Sequence, residues 1–235
     1  VGISCRRIVN GLKELHIDMA QVEGIFVSHE HSDHIAGLQQ LLKRFDIPVY
    51  TKQGTWREIQ DKLIVPKNQL IELTKGSLTL GNLVVEPFAV SHDAADPIGI
   101  NVFAGKDKAT VVTDTGVISD SILRRMDDTT LLVLEANYDP HMLRFGPYQP
   151  FLKQRVASDE GHLSNEMAAQ ALLMMNRPDF MQVILAHRSE NNNNAVLVTQ
   201  TIGKMLVDGG VRIGPEMKLQ HGQPNEIVSM KSVKR

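Results

Sequence analysis

The sequence predicts a layered α/β domain. Three observations carry this reading. Short apolar, β-rich runs at 24–28 (GIFVS), 129–137 (TTLLVLEAN) and 181–186 read as buried strands. Segments with apolar residues at helical spacing alternate with such runs along the whole length. Hydrophobic residues make up 42% and charged residues 22% of 235 residues, the composition of a chain able to bury a full core. Neither an internal repeat nor a low-complexity tract interrupts the pattern, so residues 1–235 read as one domain. Cys5 is the only cysteine, which excludes a disulfide framework. No apolar stretch approaches the ~18 residues of a membrane span. The formal charge of −2 excludes a strongly basic nucleic-acid wrapper. It leaves room for a nucleic-acid enzyme whose positive charge comes from bound ions.

The elements follow in order. Residues 4–15 are predicted as a short helix, and 24–28 as a strand that runs straight into HEHSDH at 29–34. Ile35, Leu38, Leu41, Leu42 and Phe45 recur at helical spacing and predict one helix over 35–45. Pro48 ends it and opens a strand at 49–50. A helix at 55–61 is expected, with Thr55 as cap and Glu58 completing a capping box. The middle is strand-rich: 70–73, 77–80 and 83–90, separated by turns at 75–76 and 81–82, then 99–104 and 109–113 around a hairpin at Gly105 and Asp107. A short helix over 119–125 precedes the continuous apolar run of a central strand at 129–137. Residues 139–150, rich in Pro, Gly and Tyr, read as a linker. Helices are expected at 164–175, capped by Ser164, and at 195–207, ending at Gly209 and Gly210. The tail holds weak strands and a basic end at 231–235.

HEHSDH places His29, His31, Asp33 and His34 within six residues. Two histidines two apart on an extended or turning segment can point the same way, as two ligands of one ion must. Asp33 and His34, at the start of a helix, can diverge toward a second ion. Imidazole and carboxylate suit zinc, manganese or iron. Three further polar residues stand just after apolar strands: His92 in SHD, Asp114 in TDTG and His187 in AHRSENN. His16, His141 and His221 have no ligand neighbours and receive no metal role.

In this order, HEHSDH followed by His92, Asp114 and His187 resembles the metallo-β-lactamase fold superfamily. The stretches VLEANYDPHML, LKQRVASDEGHLSNE and AHRSENNN resemble the YycJ/WalJ/VicX group within it. The resemblance implies an αββα sandwich of two mixed β-sheets flanked by helices, in a cytoplasmic protein. It implies further strands and an aspartate ahead of Val1, so the first strands of one sheet are expected to be missing and an edge exposed. It also implies two divalent ions, zinc or manganese with iron permitted. His29, His31 and His92 would hold one, Asp33, His34 and His187 the other, and Asp114 would bridge them.

Two dications against two carboxylates and a bridging hydroxide leave a net positive centre, suited to an anionic phosphoryl transition state. The group resemblance implies a DNA 5′-to-3′ exonuclease, with DNA as partner, no membrane and no stated oligomeric state. The alternatives are a hydrolase of small esters, lactones or thioesters, and a noncatalytic metal-binding interaction protein. Catalysis is assigned to Asp33, Asp114 and His162, the last as proton donor to a leaving oxygen or as a phosphate ligand. Arg155, Ser158, Ser164 and Asn165, around a helix start with exposed N–H groups, and Asn191 and Asn192, at the start of another helix, are phosphate-binding candidates. Glu135 and Asn137 end the central strand. A buried Glu135 requires a partner.

Overall fold

The computed structural model describes residues 1–74, 76–223 and 226–229. The basic end at 231–235, and Lys75 of the turn predicted at 75–76, lie outside the described residues. The chain forms two compact units, Val1–Leu80 with Ala94–Ile98, and Gly81–Asp93 with Gly99–Arg235.

The first unit contains α1 (Cys5–Glu14), β1 (Ile25–Phe26), α2 (Ser32–Ile35), α3 (Leu38–Leu42), β2 (Val49–Thr51), α4 (Gln53–Lys62), β3 (Leu70–Glu72) and β4 (Leu78–Leu80). Ser4 caps α1, its hydroxyl accepting from the Arg7 N–H at 3.4 Å. The smaller sheet runs β1-β2-β3, with both pairings parallel.

The helix expected over 35–45 is instead two short helices, broken at Gly37. The Gly37 N–H donates to the Val1 carbonyl at 3.0 Å. A Cβ on Gly37 would lie 2.1 Å from the Ile3 carbonyl oxygen. The opening segment therefore crosses the chain at the one residue that has no side chain to obstruct it. Helical spacing survives the break: Ile35, Leu38, Leu41 and Leu42 still meet Ile25, Val27, Val49, Trp56 and Ile59 in this unit's core. α4 begins before the expected cap. Thr55 lies inside it and donates its hydroxyl to the Asp96 carbonyl at 3.2 Å, a long-range bond that replaces the local capping box.

The second unit contains β5 (Leu83–Ala89), β6 (Ile98–Ala104, all but its first residue), β7 (Asp107–Val112), α5 (Asp120–Met126), β8 (Leu131–Glu135), α6 (Pro140–Phe145), α7 (Pro150–Val156), α8 (Asn165–Met174), β9 (Met181–Ala186), α9 (Ala195–Asp208) and β10 (Met217–His221). Within this unit the larger sheet runs β10-β9-β8-β7-β6-β5 and is mixed. β6 and β7 are antiparallel, joined by the expected hairpin, where Gly105 supplies a φ of 62°. β7, β8, β9 and β10 are parallel.

Because β8 and β9 are buried in the sheet's middle, they read as continuous apolar runs. Leu132, Leu134, Met181, Val183 and Leu185 pack with Ala168, Leu172, Ile202 and Leu206 of α8 and α9. Half of the expected linker at 139–150 is α6, entered through Asp139, whose carboxylate caps the Met142 N–H at 2.8 Å. Pro140 and Pro150 stand at helix starts, where a missing N–H costs nothing.

These contacts make two glycines testable in opposite directions. Gly37→Ala should lower the melting temperature, by the equivalent of about 1–3 kcal/mol for a forced overlap. Gly203→Ala, inside α9 with its nearest neighbour at an ordinary 3.8 Å, should raise it by up to about 1 kcal/mol. Thermal unfolding of both variants beside the parent measures this.

Candidate metal centre

In the first unit the HEHSDH segment leaves β1 and enters α2. His29 is buried, His31 and His34 are partly exposed and Asp33 is exposed. The segment is held by backbone. The Ile98 N–H donates to the Ser28 carbonyl at 3.1 Å, and Glu30 accepts from the Ala95 N–H at 2.8 Å. Gly2 lies against the Asp33 carbonyl so closely that a Cβ would fall 1.5 Å from its oxygen.

Ser28 Oγ is 3.1 Å from both His29 Nδ1 and His34 Nδ1. His29 Nε2 and His31 Nδ1 are 3.1 Å apart. Two nitrogens each ~2.05 Å from one tetrahedral ion would be about 3.3 Å apart, so these rings already stand at nearly the separation that ligation requires. His34 Nε2 is 3.7 Å from Asp33 Oδ2.

In the second unit the parallel register assembles the donors. Val112 pairs with Leu134, and Glu135 with Ala186. The residues just past these strand ends therefore fall at one sheet edge, where α/β sheets carry their sites. Asp114 and His187 both leave their strands with positive φ, 56° and 52°. For non-glycine residues this costs about 1–3 kcal/mol each and re-aims the side chains. Asp114 Oδ1 is 3.4 Å from His187 Nε2, and 3.8 Å from both His92 Nε2 and His162 Nδ1. Asp114, Glu135, His162 and His187 each offer a ligand atom, all within 4.8 Å of one another.

Glu135 is fully buried and organises this group. It accepts from His187 Nδ1 at 2.7 Å and His162 Nδ1 at 2.8 Å, and from the Thr115 and Leu163 N–H groups at 3.2 Å. Burial alone would raise its pKa. The two histidine bonds outweigh burial and hold the carboxylate below its ordinary value. Conversely, burial would lower the His162 pKa, but the bond and charge of Glu135, aided by Asp114, leave it raised. His187 turns Nδ1 to Glu135 and Nε2 to Asp114, and a carboxylate on one ring nitrogen is the arrangement that fixes a histidine's tautomer.

His92 is set in the same way: its Nδ1 lies 3.0 Å from the Gly161 carbonyl. Burial pushes its imidazole below the usual value against the opposing charge of Asp114. A neutral imidazole is the form that binds metal. The donor types, separations and fixed tautomers all fit divalent ions.

The phosphate candidates fare differently. Arg155 is exposed and ion-paired with Asp93, beside His92. Ser158 donates its hydroxyl to the Arg155 carbonyl at 2.8 Å. The expected exposed N–H groups at the start of α8 are largely taken. Ser164 accepts from the Met167 N–H at 3.1 Å, and the Asn165 N–H donates to the Tyr138 carbonyl at 2.9 Å. Asn165 is itself fully buried, its amide paired reciprocally with Asn193 at 3.1 and 2.8 Å. Its side chain is thus structural, a correction to the phosphate reading.

Asn192 is also fully buried, bonded to Ser189, and the α9 cap is Asn194, directly before the expected helix start. Only Asn191 of that pair is exposed. Asn137 Nδ2 donates to the His187 carbonyl at 2.8 Å, which steadies that turn. Gly161, Asp93 and Asn193 went unread. Asp93 adjoins His92 in sequence and was within reach, whereas a run of four asparagines does not show which of them turns inward.

A family model described as the beta-lactamase superfamily domain matches residues 7–187. The chain belongs to the beta-lactamase superfamily. It is 34% identical over 225 residues to exodeoxyribonuclease YycJ of Bacillus anthracis, covering 95% of this chain and 85% of that one. It is 31% identical over 229 residues to exodeoxyribonuclease WalJ of Streptococcus pneumoniae, with the same coverage. Among solved structures, the metallo-β-lactamase fold protein YhfI from Bacillus subtilis superposes with a TM-score of 0.61 at 17% identity, over 84% of this chain and 75% of that one. This last likeness shows the fold.

The beta-lactamase superfamily reading from the sequence therefore stands, as does the α/β architecture with two sheets. With these donor groups the chain is a metal-binding hydrolase of that superfamily. Among the described residues, no helix is long and apolar enough to cross a membrane. Glu135→Gln should weaken metal binding roughly 10–100-fold while the chain stays folded, because both histidines lose their charged anchor. Calorimetric titration of metal-stripped protein with zinc or manganese, beside circular dichroism, measures it.

Proposed function

We propose that the chain hydrolyses phosphodiester bonds of DNA and works from the 5′ end. The observation that carries this reading is the 34% identity to an exodeoxyribonuclease over 95% of the chain. On this reading His29, His31, Asp33, His34, His92, Asp114 and His187 would hold two divalent ions. Zinc or manganese fits these donors, with iron permitted. Bound there, the ions would activate water as nucleophile and offset negative charge developing on the phosphoryl oxygens.

The chain's own residues do the rest. Glu135 holds His187 and His162 in fixed orientation, so neither ring must reorganise during turnover. Hydrolysis forms a phosphorus–oxygen bond to water and breaks the bond to the departing sugar oxygen, which must gain a proton. His162, bonded to Glu135 through Nδ1, is the group assigned to supply it from Nε2. Arg155 and Asn191, both exposed, are the remaining candidates to hold a flanking phosphate.

The test uses metal-loaded protein with 5′-labelled DNA, 3′-labelled DNA, RNA and a small phosphodiester. The expected result is stepwise release from the DNA 5′ end. Asp114→Asn should lose metal and turnover together. His162→Ala should keep its metal and lose at least tenfold in turnover, about 1.4 kcal/mol of transition-state stabilisation. Turnover of the small ester alone would replace this reading with that of a small-molecule hydrolase. Release from the 3′ end would retain the nuclease and reverse its polarity.

A further inference from the structure

We propose that the insert formed by α6 and α7 is a platform on which the unpaired bases of single-stranded DNA stack beside the metal centre. The proposal deepens the nuclease reading and rests on it. It starts from two side chains that the fold does not need. Phe145 is 66% and Phe151 72% exposed, the two aromatic residues among the exposed large hydrophobics of the described residues. Their exposure is not a packing failure. The insert has its own small core of Tyr138, Leu143 and Val156, with Tyr148 and Leu152 packed against it. Both phenylalanines are left outside that core.

The surroundings have the chemistry of a polyanion site. Residues 139–160 carry three cations, Arg144, Lys153 and Arg155, and their three carboxylates, Asp139, Asp159 and Glu160, stand only at the two ends of the segment, with Asp139 engaged as the α6 cap and Arg155 paired with Asp93. The Arg144 guanidinium lies 5.3 Å from the Phe145 ring centroid, and the His141 ring 4.6 Å. Lys153 Nζ donates to the Arg144 carbonyl at 2.8 Å and ties the two helices together. An aromatic ring braced by a cation, with further cations nearby, is the combination that holds single strands: each base offers a π-face, and each phosphate a charge.

The insert is also tied to the centre at both ends. It leaves the chain just after Asn137, which bonds the His187 turn, and its far end accepts the His162 N–H at the Val156 carbonyl, 2.9 Å away. Arg155, at that end, pairs with Asp93 beside His92. The segment that carries the two rings is thus anchored to the residues that orient the donors.

The experiment measures binding of a fluorescein-labelled oligothymidylate by anisotropy, with the full chain in chelator so that nothing is cut, and compares labelled-DNA turnover with metal restored. Phe145→Ala and Phe151→Ala should each weaken binding about fivefold or more and raise KM for single-stranded DNA, with melting temperature and metal content unchanged. Phe145→Trp should restore binding, because stacking and not the particular residue is required. Parent-like affinity and KM in the double alanine variant would overturn the platform, even with DNA cleavage intact. Failure of the parent to cleave DNA, with binding that still depends on both rings, would overturn the nuclease reading and leave the platform standing. A dimeric parent made monomeric by the substitutions, with unchanged DNA affinity, would mark the face as a protein interface and overturn the proposal.

Discussion

The second unit's site depends on one buried carboxylate. Glu135 ends β8, the strand between β7 and β9, and it is wholly removed from water. An uncompensated charge there would be costly, so it is met by two imidazoles and two backbone N–H groups. Those four bonds define most of the local geometry. One fixes the His187 ring and another the His162 ring. The N–H bonds secure the turn after Asp114 and the residue before Ser164. With both oxygens engaged, Glu135 orients the neighbouring rings of His162 and His187.

The sheet edge concentrates strain as well as charge. Asp114 and His187 both take left-handed backbone at strand exits. Such positions persist only where neighbours over-determine them. Here the Thr115 N–H bond to Glu135 and the Asn137 amide on the His187 carbonyl do so. The stability given up at these two turns is offset by the core beneath, where α8 and α9 cover the apolar faces of β8 and β9. Precision at the rim and packing below it are two parts of one arrangement.

Much of this was legible in the sequence because it is local. Met181–Ala186 was readable as a strand from its apolar run, and Ser164 as a helix cap from its side chain. HEHSDH marks candidate ligands by composition and spacing alone. What escaped was long-range. Nothing near Gly37 reveals that Val1 and Ile3 will cross the chain there and split a helix whose apolar spacing is intact. Thr55 looks like a cap until Asp96 arrives from far along the chain. Asn165 looked like a phosphate ligand beside a helix start, because its partner Asn193 lies 28 residues away. Glu135 was half legible: a carboxylate closing an apolar strand must be satisfied, but its partners, His162 and His187, come from separate loops.

The central claim is that the sheet-edge residues are metal ligands oriented by Glu135. Anomalous diffraction from crystals of the protein loaded with zinc or manganese, recorded on both sides of the metal edge, tests it most directly. The account predicts metal peaks within ligand distance of His92 Nε2, His187 Nε2 and an Asp114 carboxylate oxygen, with Glu135 still bonded to the far nitrogen of His187. Metal bound only elsewhere, or ligated by Glu135 itself in place of His187, would contradict it.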